Sequence, residues 1–249
     1  MSAIELRSIR KTFDRHRAVD DVSIRIEEGE IFGVLGPNGA GKTTTVECLT
    51  GMIRPDSGHI RVLGLDPVTD AVELRRIVGY QLQASELPDA MRVGEAMRLF
   101  ASFYPEPADV DELMDTVGLS DHRNRAFSTL SGGQKQRLSI ALALVGGPRV
   151  AVLDELTTGL DPQGRRDIWE LIRKVRAGGV TIVLVTHFLD EAAALCDRLT
   201  VIDRGRDIAT GTPSELIDRL PRPAGEPRPT LEDAYLAIID DNKLHHAAS

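Results

Sequence analysis

The stretch IFGVLGPNGAGKTTTVECLTG, Ile31 to Gly51, decides the fold. Its opening run IFGVL is apolar and too short for a helix, so it predicts a buried strand over Ile31–Leu35. That strand delivers the chain into Gly36, Pro37, Asn38, Gly39, Ala40 and Gly41. No breaker follows Lys42 until Gly51, which predicts a helix. Gly36 to Thr43 fits G-x-x-x-x-G-K-[ST] throughout. Its glycines let successive backbone N–H groups turn toward phosphate oxygens, and the following helix adds its positive end. In this pattern Lys42 serves the β- and γ-phosphates and the Thr43 hydroxyl serves Mg²⁺. Strand, glycine loop and helix make the first half of a nucleotide-binding α/β unit.

Working outward, two more apolar strands are predicted. VAVL, Val150 to Leu153, ends in Asp154-Glu155, and TIVLVTH ends in His187. Residues 165–177 between them read as a helix with Ile168, Leu171, Ile172 and Val175 on one face, stopped by Gly178-Gly179. Strand–helix–strand order implies a parallel sheet, whose strand ends lie along the same edge as the phosphate loop. On that edge Asp154 can hold Mg²⁺, and Glu155 can take a proton from an attacking water. His187 can hydrogen-bond the γ-phosphate or position the water.

Other segments fill in the architecture. Ile24–Ile26 and Ile77–Tyr80 are short β-type runs. Residues 87–145 are helix-rich, with Val93, Ala96, Met97, Phe100 and Tyr104 at helical spacing, then shorter periodic stretches at Asp111–Val117 and Gln134–Val145. This block reads as an inserted helical subdomain. LTVIDRGRDIATG predicts a hairpin turning at Arg204-Gly205. Pro221–Thr230 reads as a stiff linker. A last helix begins after Thr230, with Asp233 completing its cap, and the chain after Asp240 reads as a frayed tail. In LSGGQKQR, Ser131, Gly132 and Gly133 precede a helix, a second anion-binding start. One nucleotide needs one phosphate loop, so this turn is idle in a monomer. It implies a second copy and two composite sites related by a twofold axis.

Composition narrows the possibilities. The 249 residues carry 38 acidic and 30 basic side chains, a formal charge of −8, which argues against a dedicated nucleic-acid binder. No apolar run approaches the ~20 residues that cross a bilayer, and the start lacks the apolar core of a signal peptide, so a cytosolic chain is expected. Cys48 and Cys196 are too few and too far apart for a disulfide framework or metal cluster, and read as reduced apolar filler.

Taken together, the motifs resemble those of the nucleotide-binding ATPase subunit of ABC transporters over nearly the whole chain. GPNGAGKTT resembles Walker A, LSGGQKQR the signature motif, VAVLDE Walker B, TTGLD the D-loop, and VTH with His187 the H-loop. Gln83 falls at the Q-loop glutamine, with Gln81 as the weaker alternative, and Phe13 at the aromatic that stacks on adenine.

The resemblance implies an α/β fold of the P-loop ATPase type: a mixed sheet with flanking helices, an inserted helical subdomain (about 87–145) and an N-terminal antiparallel β portion. It implies an ATPase domain over 1–220, then a proline-rich linker and C-terminal helix over 221–249. Phe13, Gly36–Gly41, Lys42, Thr43 and Thr44 would bind ATP. Thr43, Gln83 and Asp154 would surround Mg²⁺. Glu155, His187 and Gln83 would act in hydrolysis. Ser131, Gly132, Gly133 and Asp161 would act across a homodimer.

Two positions depart from the family pattern. Leu156 stands where proline is usual, which alters the turn but removes no chemical group, and Phe13 replaces the commoner tyrosine. The implied partner is a separate transmembrane permease, engaged through the region around Gln83 and the helical block. The implied location is peripheral, on the cytoplasmic face of the membrane. PSEL at Pro213–Leu216 and TLEDAYLAI resemble drug, antibiotic or polysaccharide exporter subunits, and GVLGPNGAGKTTTVECLTG and TTGLDPQGRRDIWELI resemble the antibiotic-resistance exporters in particular. Polysaccharide, lipid or ion export is the alternative, ahead of a non-transport role.

Overall fold

Three strands of unbroken burial form the spine: β3 (Ile31–Leu35), β6 (Val150–Asp154) and β7 (Thr181–Val185). The computed structural model describes residues 2–81, 87–221 and 228–247. Period-2 alternation splits the side chains of these strands between two apolar clusters. Ile31, Leu35, Ala151, Leu153, Ile182 and Leu184 face one, and Phe32, Val34, Val150, Val152, Val183 and Val185 face the other. Burial on both faces is the signature of a parallel sheet covered on either side.

Among the described residues the strands form two sheets. The larger runs in the order β5-β6-β7-β3-β8-β9, where β5 is Val78–Tyr80, β8 Arg198–Asp203 and β9 Arg206–Gly211. Its neighbours are parallel except β8 and β9, which make the predicted antiparallel hairpin with Asp203 opposite Arg206. The smaller sheet is antiparallel, ordered β2-β1-β4, from β1 (Ser2–Phe13), β2 (His16–Glu27) and β4 (Ser57–Val62). Its first two strands are longer than their apolar runs suggest, because alternate exposed charges such as Glu5, Arg7 and Arg25 sit on the solvent face.

Helix α1 (Lys42–Leu49) follows the glycine loop, and α2 (Ala71–Ile77) takes up Ile77, which the sequence reading placed in a strand. The segment 87–145 contains α3 (Val93–Ala101), α4 (Val110–Thr116), two short 3₁₀ turns and α5 (Gly132–Leu144). Its buried side chains join the cluster on one face of the large sheet. Helix α6 (Pro162–Ala177) buries Ile168, Leu171, Ile172 and Val175 as the periodicity required. Helices α7 (Leu189–Leu195) and α8 (Pro213–Ile217) precede α9, which spans Leu231–Ala247.

The frayed tail expected after Asp240 is a correction: α9 runs on for two more turns. Thr230 and Asp233 cap its start reciprocally, α9 packs against α7 and α8, and Asn242 donates to Asp203 at 2.7 Å. Both cysteines are free and buried, and Cys196 Sγ fills the space opposite Gly33 on β3.

Candidate functional site

The glycine loop can form only from these residues. Gly41, at φ 101°, occupies the left-handed region, and a Cβ there would lie 2.1 Å from the Ala18 carbonyl oxygen. A Cβ on Gly36 would meet the Ile202 carbonyl at the same separation. The loop is also held from outside, because Gly205 in the β8–β9 turn donates to the Ala40 carbonyl at 2.8 Å. Lys42 Nζ donates to the carbonyls of Gly36 and Pro37 at 2.8 and 3.0 Å, which ties the side chain across its own loop.

Around this loop lies a cavity of about 500 Å³. Asn38, Gly39, Ala40, Gly41, Lys42, Thr43 and Thr44 line it together with Asp154, Glu155 and Phe13. Phe13 is 43% exposed, so its ring offers a free face. His16 also lines the cavity, and the sequence reading missed it. Its signal was its position directly across the hairpin from Phe13.

The electrostatics are those of charges held out of water. Burial, with the neighbouring Glu155 carboxylate adding to it, pushes the Asp154 carboxyl up to about 6, while Lys42 pulls it back. Burial lowers Lys42, and Asp154 and Glu155 oppose that shift. Tyr80 is pushed up to about 12 by burial and then by Asp154. Glu155 begins the turn after β6 at φ 49°, an uncommon conformation for a side-chain-bearing residue, and its N–H donates to the Val185 carbonyl at 2.9 Å. His187 Nδ1 stands 3.3 Å from Glu155 Oε1. Leu156 is wholly buried in the main apolar cluster and anchors this turn by packing where proline would have stiffened it.

Thr43 and Asp154 bring hard oxygen donors to one cavity, a set that fits Mg²⁺. Among the described residues no group of three or more His, Cys, Asp or Glu could cage a metal.

Ser131, Gly132, Gly133 and Asp161 do not join this cavity. They line a second one of about 380 Å³, between the start of α5 and the turn before α6. Ser131 caps α5 in a reciprocal box with Gln134, and Asp161 caps α6 by accepting from Gly164 N–H at 2.7 Å. Gln83 lies outside the described residues. Gln81 is buried at the end of β5, with its N–H on the Val152 carbonyl at 2.9 Å and its Oε1 without a hydrogen-bond partner among the described residues.

A phosphate loop at the carboxyl edge of a parallel sheet, faced by two carboxylates, defines a P-loop nucleoside triphosphatase. The ABC transporter family model matches residues 19–158. The Nod factor export ATP-binding protein I of Rhizobium etli is 41% identical over 225 residues, covering 88% of this chain and 71% of that protein. Its counterpart in Paraburkholderia xenovorans is 43% identical over 222 residues, covering 87% and 73%. A solved ATP-binding subunit of an ABC transporter superposes with a TM-score of 0.82 at 25% identity, covering 95% of this chain and 99% of that one.

The chain belongs to the ABC transporter family. It is an ATPase whose cofactors are ATP and Mg²⁺, of a class in which a pair of ATPase units works with a membrane permease. The expected kinship with drug and antibiotic exporters is corrected: the relatives at 41–43% identity are Nod factor export proteins. Of the segments that suggested the drug-exporter group, those around Walker A and the D-loop report the motor and not its cargo, and PSEL and TLEDAYLAI lie in α8 and at the start of α9.

Proposed function

We propose that this chain is the ATP-hydrolysing subunit of an exporter, driving a separate permease whose cargo belongs to the polysaccharide, lipid or ion class. One observation carries the hydrolytic reading: Lys42, Thr43, Asp154 and Glu155 share one cavity, with His187 3.3 Å from Glu155. The names of the relatives support the export reading.

The loop amides over Gly36–Gly41 and Lys42 hold the phosphates, and Phe13 packs on the base. Thr43, Asp154 and Gln83 hold Mg²⁺, which neutralises charge on the β- and γ-phosphate oxygens when bound. Glu155 accepts the proton of the attacking water. His187 orients Glu155 and meets the γ-phosphate. Ser131, Gly132, Gly133 and Asp161 serve the nucleotide of a second copy in a homodimer.

The permease docks in a groove of about 550 Å³ beside α2, lined by Met52, Val72, Arg75, Arg76, Tyr80 and Phe103. Phe103 is 67% exposed and Val72 59%, an apolar surface that a partner would cover. Among the described residues no helix is long and apolar enough to cross a membrane, which supports a peripheral location secured by that partner. Residues 1–220 act as the ATPase unit and α9 as an appended helix.

The test is Glu155→Gln. It retains ATP binding and lowers hydrolysis by at least about a hundredfold, the usual contribution of a general base. Hydrolysis at the wild-type rate would remove Glu155 from the role. Co-purification with a multi-span membrane protein tests the transport half, and recovery from DNA or ribosomes alone would overturn it.

A further inference from the structure

Glu191 is a wholly buried carboxyl that none of the hydrolytic steps above uses. It sits in the first turn of α7, and four segments converge on it. With α7 itself counted as one of the four, the other three begin with α6, where Trp169 Nε1 donates to Glu191 Oε1 at 3.3 Å. From the strand end of β7, Thr186 turns its hydroxyl toward the same carboxyl while accepting the Phe188 N–H at 3.0 Å. From the turn after β6, the wholly buried Thr157 hydroxyl lies within reach as well. Glu191 Oε2 and Thr157 Oγ1 are both buried without closing a standard hydrogen bond. Burial raises the Glu191 pKa, and the donors of Thr186, Thr157 and Trp169 turned toward the carboxyl oppose that shift.

The register of these partners is what matters. Thr157 follows Glu155 by two residues, and Thr186 precedes His187 by one. We propose that Glu191 is a positioning residue for the hydrolytic centre, a buried clasp that joins the turn carrying Glu155 to the strand end carrying His187. It thereby sets the Glu155–His187 separation from beneath the site. Backbone pairing alone leaves that separation adjustable, because Glu155 N–H to the Val185 carbonyl is the last bond between the two strands before both chains turn away. The clasp rests on the roles proposed for Glu155 and His187. Its partners Trp169, Thr186 and Thr157 all lie outside the phosphate loop, so it acts on the chemical step and not on nucleotide affinity.

The experiment is steady-state ATP hydrolysis by the full chain carrying Glu191→Leu, Glu191→Gln or Thr186→Val. Glu191→Leu lowers kcat about tenfold, the scale of a lost buried hydrogen bond, with KM for ATP changed by less than about twofold. Glu191→Gln keeps an acceptor for Trp169 and restores kcat to within about threefold of wild type. Trp169 is the only tryptophan, so its emission gives a readout independent of turnover: it shifts in Glu191→Leu and holds in Glu191→Gln. Wild-type kcat in Glu191→Leu, a loss shared equally with KM, or an unmoved emission overturns the inference. Should Glu191→Leu fail to fold, Thr186→Val decides it: a several-fold lower kcat at constant KM supports the clasp, and a wild-type kcat overturns it. If Glu155→Gln hydrolyses normally, the reading of Glu155 has failed. If Glu155→Gln is dead while Glu191→Leu is fully active, only the clasp has.

Discussion

Asp154→Asn should make the nucleotide-free protein more stable while abolishing its activity. Asp154 is 4% exposed, and its carboxyl is raised from 3.8 to about 6, chiefly by burial and secondarily by Glu155. Each tenfold of disfavoured ionisation is worth 1.36 kcal/mol, so holding Asp154 charged costs the folded state about 3 kcal/mol. The sign follows from linkage. A carboxyl raised on folding carries no penalty below its ordinary value, acquires one as pH climbs, and carries it in full above about 6. Asparagine removes the charge at every pH. In chelator without nucleotide, Asp154→Asn therefore gains about 3 kcal/mol at pH 8, or roughly 6–12 °C in Tm for a chain of this size. That gain shrinks toward zero as pH falls through 6 to 4. Urea denaturation at pH 8, 6 and 4.5 measures it. Adding ATP and Mg²⁺ then stabilises wild type far more than the variant. A variant no more stable than wild type at pH 8, or a gain equal at all three pH values, would refute the reasoning.

Three other substitutions probe separate parts of the site. Gly41→Ala places a Cβ against the Ala18 carbonyl at a left-handed φ, so it should cost about 1–3 kcal/mol from backbone conformation alone and abolish ATP binding by equilibrium titration. Phe13→Ala removes a half-exposed stacking face and should raise KM for ATP about tenfold while sparing kcat, as read by initial rates. A Cβ at Gly133 meets no atom within 4 Å, so Gly133→Asp should fold with little change in Tm and yet lose hydrolysis. Mixing it with the equally inactive Lys42→Ala should restore about a quarter of the wild-type rate, because half of the randomly formed dimers regain one intact composite site.

The strands of the sheet and the phosphate edge were legible because they are local. IFGVL, VAVL and TIVLV announce burial on both faces, and the residues that end them announce the edge. The long antiparallel strands β1 and β2 were less legible, since their exposed faces carry charges that break any apolar run. Helix α9 was cut short for a similar reason. Asp240, Asp241 and Asn242 read as a polar tail, whereas Asn242 is anchored by Asp203, a partner 39 residues away. Glu191 and Trp169 gave no signal because each is one polar residue in an ordinary amphipathic stretch. Only the packing of α6 and α7 brings them together. Cargo class was illegible in principle: residues around a phosphate loop answer to ATP, which every relative shares.

The division of the chain into two cavities carries the argument for a second copy. The cavity holding Lys42, Asp154 and Glu155 shares no lining residue with the one holding Ser131, Gly132, Gly133 and Asp161. The first contains everything needed to hold phosphate and move a proton. Phe13, which lines it, is 43% exposed. The second offers a glycine-led helix start with open space above Gly133, a shape suited to an anion that its own chain cannot present there. In the proposed homodimer, a twofold axis would turn these two incomplete surfaces into two equal sites, each closed by the other chain. On that arrangement the buried charges at the first cavity have a purpose. Asp154 and Lys42 each pay desolvation in the single chain, and a phosphate–Mg²⁺ pair relieves both at once. On the proposed dimer, the nucleotide would supply the favourable free energy of closure, and hydrolysis would withdraw it.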